Sequence, residues 1–157
     1  MPSAQELRAF ADRLAKLRIP EIDNLSSSNA TPLNLYGIGG SFGTFNNEGT
    51  LNQTATGAHT IQSSITFNNT GTVNIDAGTL TMDGSGSDTG VYAVDAGATL
   101  NFSGGTRNLN AGTNITGPGT LAVSGGTVNA NNLLDIATTG AALNVSSGAL
   151  NVNATAA

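Results

Sequence analysis

The sequence has no cysteine, no tryptophan, one histidine and four prolines, and Lys and Arg together number only 5 in 157 residues. Each shortage removes a class of explanation. Without cysteine there is neither a disulfide framework nor a thiolate metal site. His59 by itself cannot build a histidine-rich metal cluster. Arg8, Arg13, Lys16 and Arg18 lie at the start of the chain. Beyond them only Arg107 is basic, against Glu21, Asp23, Glu48, Asp76, Asp83, Asp88, Asp95 and Asp135. An acidic body of this kind is a poor partner for nucleic acid or an anionic membrane. No apolar run approaches the roughly 20 residues of a membrane-spanning helix. The opening MPSAQELRAF lacks the basic and apolar regions of a cleaved secretory signal. The alternatives are a protein that stays inside the cell, export without a cleaved signal, or a fragment of a longer chain; the expectation is a fragment or particle assembly from the cytoplasm.

What is abundant is glycine, threonine and asparagine, arranged in a repeat. One short pattern of Gly, a small polar residue, an aliphatic residue and Asn or Thr recurs. It reads EGTLNQ (48–53), TGTVNI (70–75), AGTLTM (77–82), GATLNF (97–102), PGTLAV (118–123), GGTVNA (125–130) and SGALNV (147–152). Three apolar columns emerge, with a period near 21 residues. The first is Leu51, Val73, Val94, Ile115 and Ile136. The second is Ile61, Leu80, Leu100, Leu121 and Leu143. The third is Phe67, a gap near residue 88, then Leu109, Val128 and Leu150.

Three columns per period predict three short strands per repeat. Each alternates an inward aliphatic residue with an outward Asn or Thr. A single rung cannot bury its own inward face, so rungs must stack in parallel, about 4.8 Å apart. The predicted fold is all-β: a three-faced β-solenoid of about five rungs, coiled as a right-handed parallel β-helix by the usual crossover handedness, with a short N-terminal α-helix. Gly49, Gly71, Gly78, Gly97, Gly119, Gly126 and Gly148 precede strands and are read as corners. Asn52 over Asn74, Asn101 near Asn144, and Asn129 over Asn151 are candidate side-chain ladders.

The predicted organisation has an amphipathic helix within 1–20, a transition segment over 21–47 and the solenoid over 48–157. Ser3 and Glu6 form a capping box, and Leu7, Phe10, Ala11, Leu14 and Leu17 make one apolar stripe ending before Pro20. That stripe is expected either to cap the first rung or to dock on a neighbouring subunit. The GIGGSFG run (37–43) has no following Lys-Ser/Thr, so it is not read as a phosphate loop.

Candidate chemistry is sparse. MDGSGSDTG (82–90) is expected as an exposed loop, with Asp83 and Asp88 the only calcium candidates. Asp76 and Asp95 begin equivalent Asp-Ala-Gly turns and would stack one rung apart. With Arg107 they are isolated groups rather than the clustered carboxylates of a polysaccharide-cleaving β-helix. Threonine rows of the kind that match ice are expected to be split among different faces, with no single regular array. Seven Asn-x-Ser/Thr sequons, at 24, 29, 52, 68, 114, 144 and 153, follow from composition. No enzyme, metal or cofactor is expected.

At GTLTM, GATLNF, GTLAVSGGTVN and GALNV the chain resembles the repeat regions of filamentous haemagglutinin-type and autotransporter adhesins, over about residues 45–153. The resemblance implies a secreted or surface β-helix acting as a stalk, adhesin or fibre; phage and particle fibres use similar solenoids. Leu150 and Val152 remain in pattern at the end of the sequence. The functional expectation is a self-associating fibre subunit, extracellular or at the cell surface, joined head to tail. Leu7, Phe10, Leu14 and Leu17 at one end would meet Leu150 and Val152 at the other. A fragment binding a host glycan or surface protein is the alternative, and a polysaccharide-degrading enzyme the remote one.

Overall fold

A computed structural model describes residues 18–19, 23–25, 43–132 and 142–153, the first two segments by their backbone alone. The predicted helix residues Leu7, Phe10, Leu14 and Leu17, and Ile136 of the first column, lie outside these residues. At the predicted helix's end Arg18–Ile19 form a strand, β1. Pro20 disfavours the helical region for the residue before it, and Ile19 is β-branched. Strand β2 is Asp23–Leu25.

The rest of the fold follows from the period-2 pattern. Strands run β3 Gly43–Asn47, β4 Thr50–Gln53, β5 Ala58–Ile61, β6 Ile65–Asn69, β7 Thr72–Ile75 and β8 Thr79–Met82. They continue with β9 Gly86–Asp88, β10 Val91–Val94, β11 Thr99–Phe102, β12 Thr106–Leu109 and β13 Asn114–Thr116. The last are β14 Thr120–Val123, β15 Thr127–Ala130, β16 Ala142–Val145 and β17 Ala149–Val152. Every pairing is parallel and joins a strand to its equivalent one repeat later. The result is a β-solenoid of about 5 turns. Sheet A has the order β1-β3-β6-β9-β12-β15-β17, sheet B β13-β10-β7-β4-β2, and sheet C β16-β14-β11-β8-β5.

Alternation is strict through the middle turns. In β7, β8, β10, β11, β14 and β15 the first and third residues are half-buried and the second and fourth buried. The core therefore sits on the axis, built from two inward residues per strand. Corners are tight. Where sheet C turns into sheet A, Gly105, Gly126 and Gly148 stack with φ of 60°, 65° and 98°. A Cβ on Gly126 would meet the Gly105 carbonyl oxygen at 2.4 Å, so both conformation and space require glycine there.

The observed register corrects the columns. Leu51 and Val73 are followed by Tyr92, not Val94, before Ile115; Val94 stands over Ile75 in the second inward position. Both positions of β10 face inward, and a turn two residues shorter makes the aliphatic spacing misleading. In sheet C, Leu80, Leu100, Leu121 and Leu143 do align, but His59 begins that column and Ile61 starts the neighbouring one, Met82-Phe102-Val123-Val145. In sheet A the gap is not a missing strand. It is β9, and the segment expected as an exposed loop contributes Gly86 and Asp88 to the core.

Candidate functional site

Among the described residues, two departures from the regular apolar rung stand out: an ionic cluster inside it and an apolar rim at one end. The interior cluster begins with Gly86. On sheet A the inward column reads Phe45, Phe67, Gly86, Arg107, Val128 and Leu150. Gly86 leaves a hole in that column, and Arg107 on the next rung fills it. A Cβ at Gly86 would lie 2.3 Å from Arg107 Nη1 and 1.8 Å from the Phe67 carbonyl oxygen. Strands β6 and β9 share a single bridge, Asn69 to Asp88. Here the ladder is repaired by side chains. Arg107 Nη1 donates to the Phe67 carbonyl at 2.7 Å, and the Ser87 backbone N–H donates to Asn68 Oδ1 at 3.0 Å.

Asp88, next in the adjacent inward column, holds the arginine. Arg107 Nη2 donates to both Asp88 carboxylate oxygens, and both side chains have no exposed surface. Tyr92 donates its hydroxyl to Asp88 Oδ1 at 2.9 Å, and the Asn69 backbone N–H adds a contact at 3.2 Å. Arg107 Nη2 also lies 3.1 Å from the Tyr92 oxygen. The guanidinium sits between rings, 5.8 Å from the Phe67 centroid and 5.6 Å from that of Phe102. Nε alone finds no partner among the described residues.

Burial is the largest influence on these groups. It raises the Asp88 carboxyl above its ordinary value, with the Arg107 charge opposing. It holds the Tyr92 phenol well above 10. Arg107 is also held above its ordinary value: burial lowers it, but Tyr92 and Asp88 together outweigh that. It therefore stays cationic throughout. The result is a buried polar knot, engaged except at Arg107 Nε, rather than a site open to substrate.

The rim is the second place. Leu143 and Val145 continue columns in which Leu121 and Val123 are 1% and 0% exposed, yet both stand at 46%. Val152 continues the Asp88-Leu109-Ala130 column and is 69% exposed. Leu150, beside it, still packs partly on the core. Strands β16 and β17 are the last of sheets C and A, each paired on one side among the described residues. Neither carries a charge, a proline or a bulge, the devices that ordinarily blunt a sheet edge.

The remaining candidates are scattered. Asp83 is half-buried and accepts from Ser103 Oγ at 3.2 Å, while Asp88 is committed to Arg107. Asp76 and Asp95 stack one rung apart, following the paired Ile75 and Val94, but both are exposed at a corner and Arg107 is inside. Among the described residues no three His, Cys, Asp or Glu side chains come together to hold a metal, and no helix is long and apolar enough to cross a membrane. The sequence carried one overlooked signal for the cluster. Thr106-Arg107-Asn108 fits the Thr-x-Asn frame, which places its middle residue inward. Comparison of the chain with family models, curated proteins and solved structures finds no match.

Proposed function

We propose that the protein is a structural, non-enzymatic β-solenoid subunit that self-associates end to end in an extracellular or surface fibre. The observation that supports this reading is the rim: Leu143, Val145 and Val152 keep the spacing of buried residues and remain exposed. Only a further parallel rung satisfies such a surface, because it must supply backbone partners and apolar side chains at the same register. A second copy offers backbone partners at its other end, where, among the described residues, sheet A finishes in β1, sheet B in β2 and sheet C in β5. Contact between unlike ends does not close on itself, so it propagates into a filament.

The test is negative-stain microscopy and sedimentation of the full chain across a concentration series. Concentration-dependent filaments are expected, and a Leu143→Lys/Val145→Lys variant should remain monomeric with an unchanged circular dichroism spectrum. A wild-type protein monomeric at every concentration would reject the proposal, as would filaments indifferent to the two lysines.

A further inference from the structure

The outward side of sheet A carries a regular polar lattice. From rung to rung its first column reads Thr44, Thr66, Ser85, Thr106, Thr127 and Ala149. Its second reads Asn46, Asn68, Ser87, Asn108, Asn129 and Asn151. A third, two residues further on, contains Asn110, Asn131 and Asn153. The prominent Thr-x-Asn segments of the sequence do fall on several sheets, yet sheet A alone also holds a nearly unbroken set. Sheet B is interrupted by Val91 and Ala93, and sheet C by Ala58, Ala122 and Ala142.

These side chains are fixed before any ligand arrives. Asn68 donates to Asn46 at 2.9 Å, Asn129 to Asn108 at 2.8 Å and Asn151 to Asn129 at 2.9 Å. Asn131 donates to Asn110 at 3.0 Å and Asn153 to Asn131 at 2.9 Å. Asn68, Asn129 and Asn131 each spend one N–H and one acceptor position along the axis. An amide has a second N–H and a second lone pair, which on these three half-buried to exposed residues are left for solvent. Repeats are about 4.8 Å along the axis and about 6.7 Å along each strand. No charged side chain stands in either outward strand column of this face.

We propose that this face of sheet A binds ice. Its ligand must be periodic in two dimensions, uncharged, and able both to donate and to accept hydrogen bonds at each node. The oxygen rows of hexagonal ice meet all three demands and repeat on a closely similar scale. A rigid array has already lost its side-chain entropy, so ordering the first water layer costs little more. A crystalline polysaccharide shares the periodicity, but its sugar faces call for exposed aromatic platforms. Among the described residues Phe67, Tyr92 and Phe102 are buried in the core, and Phe45 is half-buried and stacked on Phe67.

The experiment freezes a dilute solution of the full chain slowly onto a cold probe and measures partition into the ice, with thermal hysteresis as a second readout. Wild-type protein should be enriched in ice several-fold over an inert globular control. Thr106→Tyr/Thr127→Tyr should fall to the control level, whereas Thr99→Tyr/Thr120→Tyr on sheet C should not. If the first double variant loses its β spectrum, Thr106→Tyr alone, at an exposed site, supplies the same comparison. Exclusion of the wild type from ice overturns the proposal. Equal loss in the sheet A and sheet C variants overturns it too, as does retention by insoluble polysaccharide without ice partitioning. The rim variant Leu143→Lys/Val145→Lys should partition like wild type, since ice binding and self-association use different surfaces.

Discussion

Sheets A and C form two walls of the same solenoid, both paired in parallel from turn to turn, yet they solve the interior problem in different ways. Beyond His59 on its first rung, sheet C stacks like on like. Leu80, Leu100 and Leu121 make one inward column, and Met82, Phe102 and Val123 the other, all essentially without exposure. Sheet A places Asn47, Asn69, Asp88 and Arg107 in equivalent inward positions. The first is a simple burial argument, each aliphatic side chain contributing about 1.5–3 kcal/mol. The second depends on pairing. Asn47 donates to Asn69 at 2.8 Å and to the Thr72 carbonyl at 3.0 Å, and Arg107 is meshed with Asp88 and Tyr92. A wall of the first kind tolerates exchange of one hydrophobe for another. A wall of the second kind tolerates little, because each member left alone carries the whole cost of its desolvation.

The largest effect should come from breaking the ionic knot on one side only. Arg107→Met keeps a long apolar stem over the Gly86 hole but strands Asp88 in the core and frees the Phe67 carbonyl. The expected loss is about 3–5 kcal/mol, read from urea unfolding midpoints. Converting the whole knot towards the sheet C solution tests the comparison itself. An Arg107→Met/Asp88→Leu/Tyr92→Phe variant should recover most of that loss, since no charge or hydroxyl remains unpaired. If the triple variant is no more stable than the single one, the cost lies in packing at Gly86 rather than in the buried charge.

A smaller effect is pH dependence. Tyr92 is held above its ordinary value by burial. The unfolded chain loses this proton near pH 10, while the folded one keeps it. Tyr92 therefore contributes fully below about pH 10, and its contribution is lost as pH rises towards the folded value. The slope should approach about 1.4 kcal/mol per pH unit. Stability measured from pH 9 upward should fall in the wild type and flatten in Tyr92→Phe. Asp88 has the same sign at the acid end: its raised carboxyl is most favourable below about pH 4, so mild acid should not unfold the protein through this residue.

The same contrast explains how far the sequence could be read. Leucine on sheet C announces itself: Leu80, Leu100, Leu121 and Leu143 sit in matching Thr-Leu or Ala-Leu frames, and their register is as expected. Sheet A hides its third rung. Gly86 has no side chain to recognise, and Asp88 and Arg107 carry charge, which ordinarily marks surface. Their burial depends on meeting each other from 19 positions apart, and apolar periodicity contains no term for that. Tyr92 lost its place to Val94 because both face inward and the aliphatic residue fitted an even spacing. Of the expected asparagine ladders, Asn52–Asn74 and Asn129–Asn151 form, while Asn101 and Asn144 share a column but are separated by Ala122. The residues of the rim were partly legible. Leu150 and Val152 were visible as pattern, but the exposure of Leu143 and Val145 is a property of the neighbour they lack among the described residues, not of their own strand.

The smallest effect concerns the outer surface of sheet A, where pairing is as regular as inside but solvent is available. Asn129 lies mid-ladder, donating to Asn108 at 2.8 Å and accepting from Asn151 at 2.9 Å. Asn129→Ala removes both bonds, yet the Asn108 oxygen and the Asn151 amide can turn to water. The expected loss is about 0.5–1 kcal/mol, near the net worth of one exchanged hydrogen bond. Asn69→Ala supplies the interior counterpart. It removes the acceptor for Asn47, which is buried, and the donor to the Val91 carbonyl, on a half-buried residue. Its loss should exceed that of Asn129→Ala by about 1–2 kcal/mol in the same urea titration. Equal losses would mean that the ladders act chiefly by stiffening the strands; unequal losses place their contribution in desolvation, as the contrast between sheets A and C requires.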